Sequence, residues 1–459
     1  MIIAMLLEVF SIATVIPIVT LILNPQSINQ KFVFNEFLDN FLLMSTNSLI
    51  MYAMAILIII FFIKNIFILF MQWHLSRYIF RIQEEISVRL YNNYLQREYS
   101  FFLKKNSAEL IRNIITEITQ FTNGALLPLL VLLSEIFVLI GIVSLILYIS
   151  LTSAFLSFLV FFSIFILYYF FVRNYLLNIG LKRIEKEEKR MKILNQGFGS
   201  IKEIKIYKKE GYFKSEFAKL TKFISFAAQQ NYFLQSIPRL LFELLAIITL
   251  FIVVYVLLFI ENNIENLIPI LGLYAASAFR LIPSMNKITN SLQSVRYAFA
   301  STQVLYDDLN DEKTKVYKKN IKVKSTTEIN RWDTIFFENV SYKYPKTEKN
   351  IIKNINIQIK RGSVVGIIGE TGSGKSTIVN LISLLLKPSI GEIKINDFII
   401  NANDFENQNV KDAWQSRIGY VPQQVYLNDD SIANNIAFGN SEENISLERV
   451  NEVLRQCQL

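Results

Sequence analysis

The chain has 459 residues, of which 52% are hydrophobic and 19% charged, and its formal net charge is +9. That balance is too apolar for an ordinary soluble protein, where about 25% of residues are charged, and it excludes disordered, collagenous and coiled-coil classes. One cysteine, Cys457, has no partner for an intramolecular disulfide, and one histidine, His74, leaves no material for a histidine metal cluster or a Ser-His-Asp triad.

Crossing a hydrocarbon core of about 30 Å takes about 20 apolar residues of helix. Six apolar runs reach that length, roughly 1–23, 49–72, 125–148, 151–172, 240–260 and 267–288. Beyond residue 290 the pattern becomes that of a soluble α/β domain. The sequence therefore predicts a multi-domain chain. An all-α six-helix transmembrane bundle covers 1–310, a linker covers 311–330, and a partial α/β domain covers 331–459.

Lys and Arg concentrate on the cytosolic side of a membrane protein. The connection 73–124 carries seven of them and 173–239 carries fifteen, whereas 24–48, 149–150 and 261–266 together carry only Lys31. The two long basic connections are thus predicted to be cytosolic, in a multi-pass protein of the cytoplasmic (inner) membrane with its α/β domain in the cytosol. They also account for the positive charge without nucleic acid. Both are too long for plain loops. Helical spacing runs on from the spans, and arms of about 30 residues reach about 45 Å beyond the bilayer. Each arm pair breaks in the middle. The first break is Glu98–Asn106, where Asn106 with Glu109 has the spacing of a capping box. The second is Gln196–Ser200, followed by Ile201-Lys202-Glu203-Ile204-Lys205. Either break fits an ordinary hairpin turn or a short transverse helix. In the external connection, Phe34, Phe37, Leu38, Phe41 and Leu42 fall on one helical face, which suits an amphipathic surface helix or a segment packed on the bundle.

Ionisable residues within spans are costly and by default functional. Here they are Glu8, Lys64, Glu135, Glu243, Arg280 and Lys287. Glu243 and Lys287 lie near span ends, where pairing or snorkelling serves them. Arg280 lies deeper and precedes Pro283, which is expected to kink that helix. Two readings stay open: Arg280 with Lys64 faces a cavity and holds a pyrophosphate, for which an Arg fork is suited, or Arg280 pairs with Glu135 or Glu8. His74 reads as a polar interface residue at the end of the second span.

Residues Gly369-Glu370-Thr371-Gly372-Ser373-Gly374-Lys375-Ser376-Thr377 match G-x-x-x-x-G-K-[ST]. Val364–Ile368 precede them as a predicted buried strand, and Ile378–Leu386 follow as an apolar helix ended by Pro388. Glycines let backbone N–H groups approach phosphates, and a helix N-terminus adds partial positive charge. Lys375 is placed to reach β- and γ-phosphates, Ser376 to ligate Mg²⁺, and Thr377 to lie near the α-phosphate. Upstream, Ile335–Pro345 reads as an edge strand running into a turn, with Tyr344 able to stack on an adenine. Downstream, Arg417–Gln423 reads as a short strand ending in a polar loop, with Gln423 able to contact Mg²⁺ or the attacking water. On the residues alone, Tyr344 and Gln423 fit surface turns equally well.

Six spans, long cytosolic arms and the phosphate loop at 369–377 together resemble a half-transporter of the ABC exporter family, over essentially the whole chain. The resemblance implies ATP and Mg²⁺ as ligands, Tyr344 at the adenine-stacking position and Gln423 at the Q-loop position. It implies coupling helices near 98–106 and 196–205 that dock on nucleotide domains. It also implies dimerisation with a second copy or a related half-transporter, and ATP-driven alternating access. Ser200–Lys205 followed by Gly211-Tyr212-Phe213, and Ala278–Ser284, are similar to flippases of lipid-linked oligosaccharides, so a lipid-linked saccharide is the implied substrate. A peptide or lipid exporter and a nucleotide-binding membrane regulator that does not hydrolyse are the competing readings; a soluble P-loop enzyme is excluded by the spans. The chain departs from the family pattern in lacking an L-S-G-G-Q signature, an acidic-ended strand with a catalytic Glu after Gln423, and a switch histidine. It reads as a fragment of a longer product, unable by itself to hydrolyse ATP by the family's mechanism.

Overall fold

A computed structural model describes residues 2–15, 18, 46–149, 151–260, 267–310, 332–345, 347–396, 398–401, 408–423 and 425–458. The linker at 311–330, the external segment around 34–42 and most of 16–23 lie outside the described residues. The chain forms two compact units, Met1–Val316 and Tyr317–Leu459.

Among the described residues the first unit is built of helices and short turns. Its helices are α1 (Ile2–Ala13), α2 (Thr46–Leu95), α3 (Tyr99–Phe102), α4, α5 (Leu151–Gly199), α6 (Ile201–Tyr207), α7 (Glu210–Tyr255) and α8 (Leu267–Asn310). Helix α4 runs through Ser107–Arg112, Ile118–Phe121 and Leu127–Ile149, joined by π-helical turns at Asn113–Glu117 and Thr122–Leu126. Among the described residues four helices are long and apolar enough to cross a membrane, at Ser48–Leu95, Ser107–Tyr148, Phe158–Gly199 and Glu210–Tyr255. Of the first expected span the described residues show the 12-residue apolar helix α1, shorter than a crossing needs, and the sixth expected span falls at the start of α8, which carries Arg280, Pro283 and Lys287. On α2 the apolar side chains Ile56, Ile58, Phe62 and Leu69 are all more than half exposed. Such a face finds a favourable surrounding in lipid rather than water.

Both predicted breaks carry short helices. At the first, α3 ends at Leu103 and Asn106 caps α4, its side chain accepting from Ala108 N–H at 3.0 Å. The capping box is half made, because Glu109 pairs with Lys105 instead. At the second, Ser200 interrupts the helix, α6 follows, and Lys208 at φ 53° ends it in the left-handed region. A hydrophobic core of Ile12, Val138, Ile142, Val253 and Leu273 joins α1, α4, α7 and α8. Close packing of α5 on α8 depends on Gly180, where a Cβ would stand 2.5 Å from the Tyr297 carbonyl oxygen.

The second unit holds a four-stranded antiparallel sheet of order β2-β1-β3-β4, with β1 Thr334–Tyr342, β2 Ile352–Lys360, β3 Ile390–Ile395 and β4 Phe398–Asn401. The expected edge strand is therefore corrected: β1 is an interior strand, bonded on both sides, and Ile335, Phe337, Val340 and Tyr342 enter the core. A bulge interrupts β1 between Phe337 and Val340, where Asn339 takes φ 51°; Asn tolerates that region. Gly391 fits against the bulge, since its own φ is +82° and a Cβ there would stand 2.3 Å from the Asn339 oxygen.

Two further expected strands are also corrected. Val364–Ile368 and Ile418–Val421 are irregular, and Val364, Ile368 and Val421 are almost fully exposed. Strand structure is made by a neighbour's hydrogen bonds, and the described ladders leave both segments unpaired.

Candidate nucleotide and intramembrane sites

The phosphate loop sits on the N-terminus of α9, Lys375–Ile382. Gly372 at φ +84° and Gly374 at φ +94° supply conformations that side chains oppose. The first bond closing the helix runs from Ile378 N–H to Gly374 O at 3.0 Å. Amides ahead of it, at Lys375, Ser376 and Thr377, have no helical carbonyl below them and are the donors such a terminus offers an anion. Lys375 folds back over the loop, its Nζ donating to the carbonyls of Gly369 and Glu370 at 2.7 Å each. These charge-assisted bonds hold the ammonium over the loop, where a bound phosphate would compete for it. Thr371 and Ser373 are exposed on the loop, and Ser376 is exposed on the first turn. Donor amides, a lysine and a hydroxyl converge here, so the residues fit a nucleotide phosphate with its Mg²⁺.

Tyr344 lies partly buried at the end of β1, edge-on to Tyr342 with centroids 5.1 Å apart. Its hydroxyl reaches Thr377 Oγ1 at 3.1 Å. Burial pushes the Tyr342 hydroxyl up to about 12, so it stays protonated. Gln423 is exposed in the bend after Pro422.

The α9 helix stops at Ile382, four residues before the expected end, because Leu384 turns into the left-handed region at φ 55°. Trp414 on α10 (Gln408–Gln415) explains how the freed carbonyls are satisfied. Its Nε1 donates to Ile382 O at 2.8 Å, and Gln415 Nε2 donates to Ser383 O at 3.0 Å. Sequence reasoning missed Trp414; a large aromatic placed four residues before Ile418 was the available signal.

In the membrane unit, Glu8 of α1 and Glu135 of α4 are 4% and 5% exposed. Arg280 of α8 bonds Glu8 through Nε and Glu135 through Nη2 at 3.2 Å. Ser284, one turn on, accepts from Arg280 Nη1 at 2.8 Å and donates to Glu135 Oε2 at 2.7 Å. Lys287 takes the other Glu135 oxygen at 2.7 Å. Lys64 of α2 is buried, lies over the Phe61 ring at 4.2 Å, and feels the charges of Glu8 and Arg280. The structure thus gathers five of the six intramembrane ionisable residues into one cluster spanning four helices. Glu243 stands apart, paired with Arg239 of its own helix at 3.0 Å. His74 packs edge-on against Phe70 and Trp73. Ser284 was missed, although its i, i+4 spacing from Arg280 marked it.

Residues 13–279 match the family model of the ABC transporter transmembrane region, and residues 352–459 match that of the ABC transporter. The chain is 22% identical over 372 residues to an ATP-dependent lipid A-core flippase of Alkalilimnicola ehrlichii, covering 79% of this chain and 59% of that protein. It is 29% identical over 182 residues to the ATP-dependent lipid A-core flippase of Escherichia coli K12, covering 40% of this chain and 29% of that one.

Proposed function

The chain belongs to the ABC transporter family, and on that premise we propose that it is one half of an ATP-driven translocase for a lipid carrying a saccharide headgroup. The observation that carries this reading is a phosphate loop on a helix N-terminus in the same chain as apolar membrane-length helices. Lys375 would leave its loop carbonyls for the β- and γ-phosphates, and the glycine-loop amides would hold their oxygens. Ser376 and Gln423 would hold Mg²⁺, which neutralises phosphate charge when bound. Tyr344 would stack on the base. A second copy, or a related half-transporter, would complete the assembly, with α3 and α6 as the segments that receive the nucleotide domains' motion.

The relatives are named for moving a lipid, and the motifs at 200–213 and 278–284 resemble saccharide-lipid flippases. The intramembrane cluster adds a physical reason. Arg280, Lys287 and Lys64 stand against Glu8 and Glu135, a formal count of three basic side chains to two carboxyls. A buried surplus cation favours an anionic group, such as the phosphate that joins a saccharide to its lipid.

The test is nucleotide binding followed by transport. The chain in nanodiscs is expected to bind a fluorescent ATP analogue, and Lys375→Ala is expected to weaken it at least ten-fold. In proteoliposomes, a protein that joins these residues to a signature motif, a catalytic Glu and a switch His is expected to drive a fluorescent lipid-linked saccharide across the bilayer with ATP, and the same substitution to stop it. ATP binding indifferent to Lys375, or transport of peptide but not of the saccharide lipid, would sink the proposal.

A further inference from the structure

Pro238 is the one proline inside α7, and it falls where the apolar run of that helix meets its cytosolic arm. A proline has no N–H, so the carbonyl four residues back loses its helical donor. Here that carbonyl belongs to Leu234. Away from water such a group needs a partner from a neighbouring helix. Tyr168 of α5 supplies one, its hydroxyl donating to Leu234 O at 2.6 Å. The hydroxyl itself accepts from Gln293 Nε2 of α8 at 3.2 Å, so its single proton is left for Leu234. Pro238 is buried and Gln293 is 1% exposed. The next residue of α7, Gln235, donates from Nε2 to Ser294 Oγ of α8 at 3.2 Å. The break in α7 is thus tied to two other helices on its arm side.

We propose that Pro238 is a hinge of α7 and that Tyr168 is its latch, a positioning residue that fixes the direction of the arm below. A helix bends readily at a proline, because one bond of its ladder is already missing there. A donor from another helix makes that bend depend on the neighbour. While Tyr168 stays seated, Leu234 is satisfied and the arm has one direction. When α5 shifts along α7 the carbonyl is released, and water at the cytosolic end of the span can take it. Two arrangements of one carbonyl make a two-state element of the kind on which hinge motions turn. Helix α6 follows α5 and precedes α7 in the chain, so the direction of the α7 arm decides where α6 is held. The inference stands on the membrane unit alone and does not need the nucleotide reading.

The experiment reads the hinge in the whole chain in nanodiscs, with Cys457→Ser as background. Spin labels at Ser225→Cys and Leu244→Cys sit at exposed positions on either side of Pro238. Along a straight helix they would stand about 28 Å apart. Tyr168→Phe keeps the ring and removes the donor. It is expected to broaden the distance distribution and to speed amide exchange about ten-fold in residues 233–241, the size of one buried carbonyl left unpaired. Exchange in α5 and in the rest of α7 is expected to stay as in the parent. Pro238→Ala returns an N–H to Leu234 and is expected to lengthen the distance and narrow its distribution. In that background Tyr168→Phe is expected to change neither readout. A distribution and an exchange rate unmoved by Tyr168→Phe alone would overturn the proposal. Equal effects of Tyr168→Phe with and without Pro238 would overturn it too, by showing that the hydroxyl serves general packing. So would faster exchange spread evenly over the whole membrane unit.

Discussion

Arg280 is the residue on which the sequence leaves two readings open, and its surroundings give each a measurable consequence. The guanidinium is shared between two buried carboxylates on two other helices. Removing one member of such a group leaves charges without partners in a poor medium for them, at a cost of about 3–5 kcal/mol. Arg280→Ala is therefore expected to lower the thermal unfolding temperature of the membrane unit sharply. Lys64 is the cation the two carboxylates do not need. Lys64→Met is expected to unfold at or slightly above the parent's temperature while losing affinity for an anionic lipid headgroup, read by native mass spectrometry against a zwitterionic lipid. An Arg280→Ala protein as stable as the parent, with headgroup affinity lost, would make Arg280 a substrate ligand first and a structural residue second.

At the scale of elements, the arms are tied together by a second buried network, centred on the π-helical turns of α4. Glu117, fully buried, accepts from Arg183 of α5 at 3.0 Å and from Ser301 of α8 at 2.5 Å. Arg112 reaches Glu188 of α5 at 2.9 Å, and Asn113 donates to Asp308 of α8 at 2.7 Å. Asp308 also takes the hydroxyl of Tyr94 on α2. A π turn shifts the phase of a helix, and the two turns of α4 keep Asn113, Glu117 and Thr122 all buried. Four helices thus share one polar knot, beside the Gly180 contact. Glu117→Ala leaves the buried Arg183 without a carboxylate and is expected to cost about 3–5 kcal/mol. Spin labels on α2 and α8 should then report a broadened distance distribution, and Glu117→Gln an intermediate one. A distribution unchanged in Glu117→Ala would show that apolar packing alone holds the arms. None of this network was legible beforehand, because its members lie up to 214 residues apart and no spacing rule joins them. What was legible follows from local causes. Continuous apolar runs announce membrane helices, Asn106 announces its cap, and the glycine loop announces α9. The strands at 364–368 and 418–421 were misread because β structure is decided by a partner's hydrogen bonds, which composition does not supply. The early end of α9 was misread because Trp414, 32 residues away, takes the carbonyl of Ile382.

For the whole molecule, the decisive quantity is the distribution of positive charge between the connections. Seven and fifteen basic residues in two connections against one in the other three is a bias that sets orientation in the bilayer. The same orientation is required by the chemistry, since the phosphate loop needs the compartment that holds ATP. Two arguments of different origin therefore predict one topology, with residues 73–124, 173–239 and the second unit on the cytosolic side. Cys457 is the only cysteine, so its replacement by Ser gives a background in which single cysteines report sidedness. Lys208→Cys, at the exposed end of α6, is expected to react with a membrane-impermeant maleimide only in inverted vesicles. Asn262→Cys, in the connection without basic residues, is expected to react only from the outside of intact cells. The reverse pattern would place Lys375 away from ATP. It would then remove both the charge argument and the nucleotide function in a single measurement, because the two stand on the same side of the membrane or not at all.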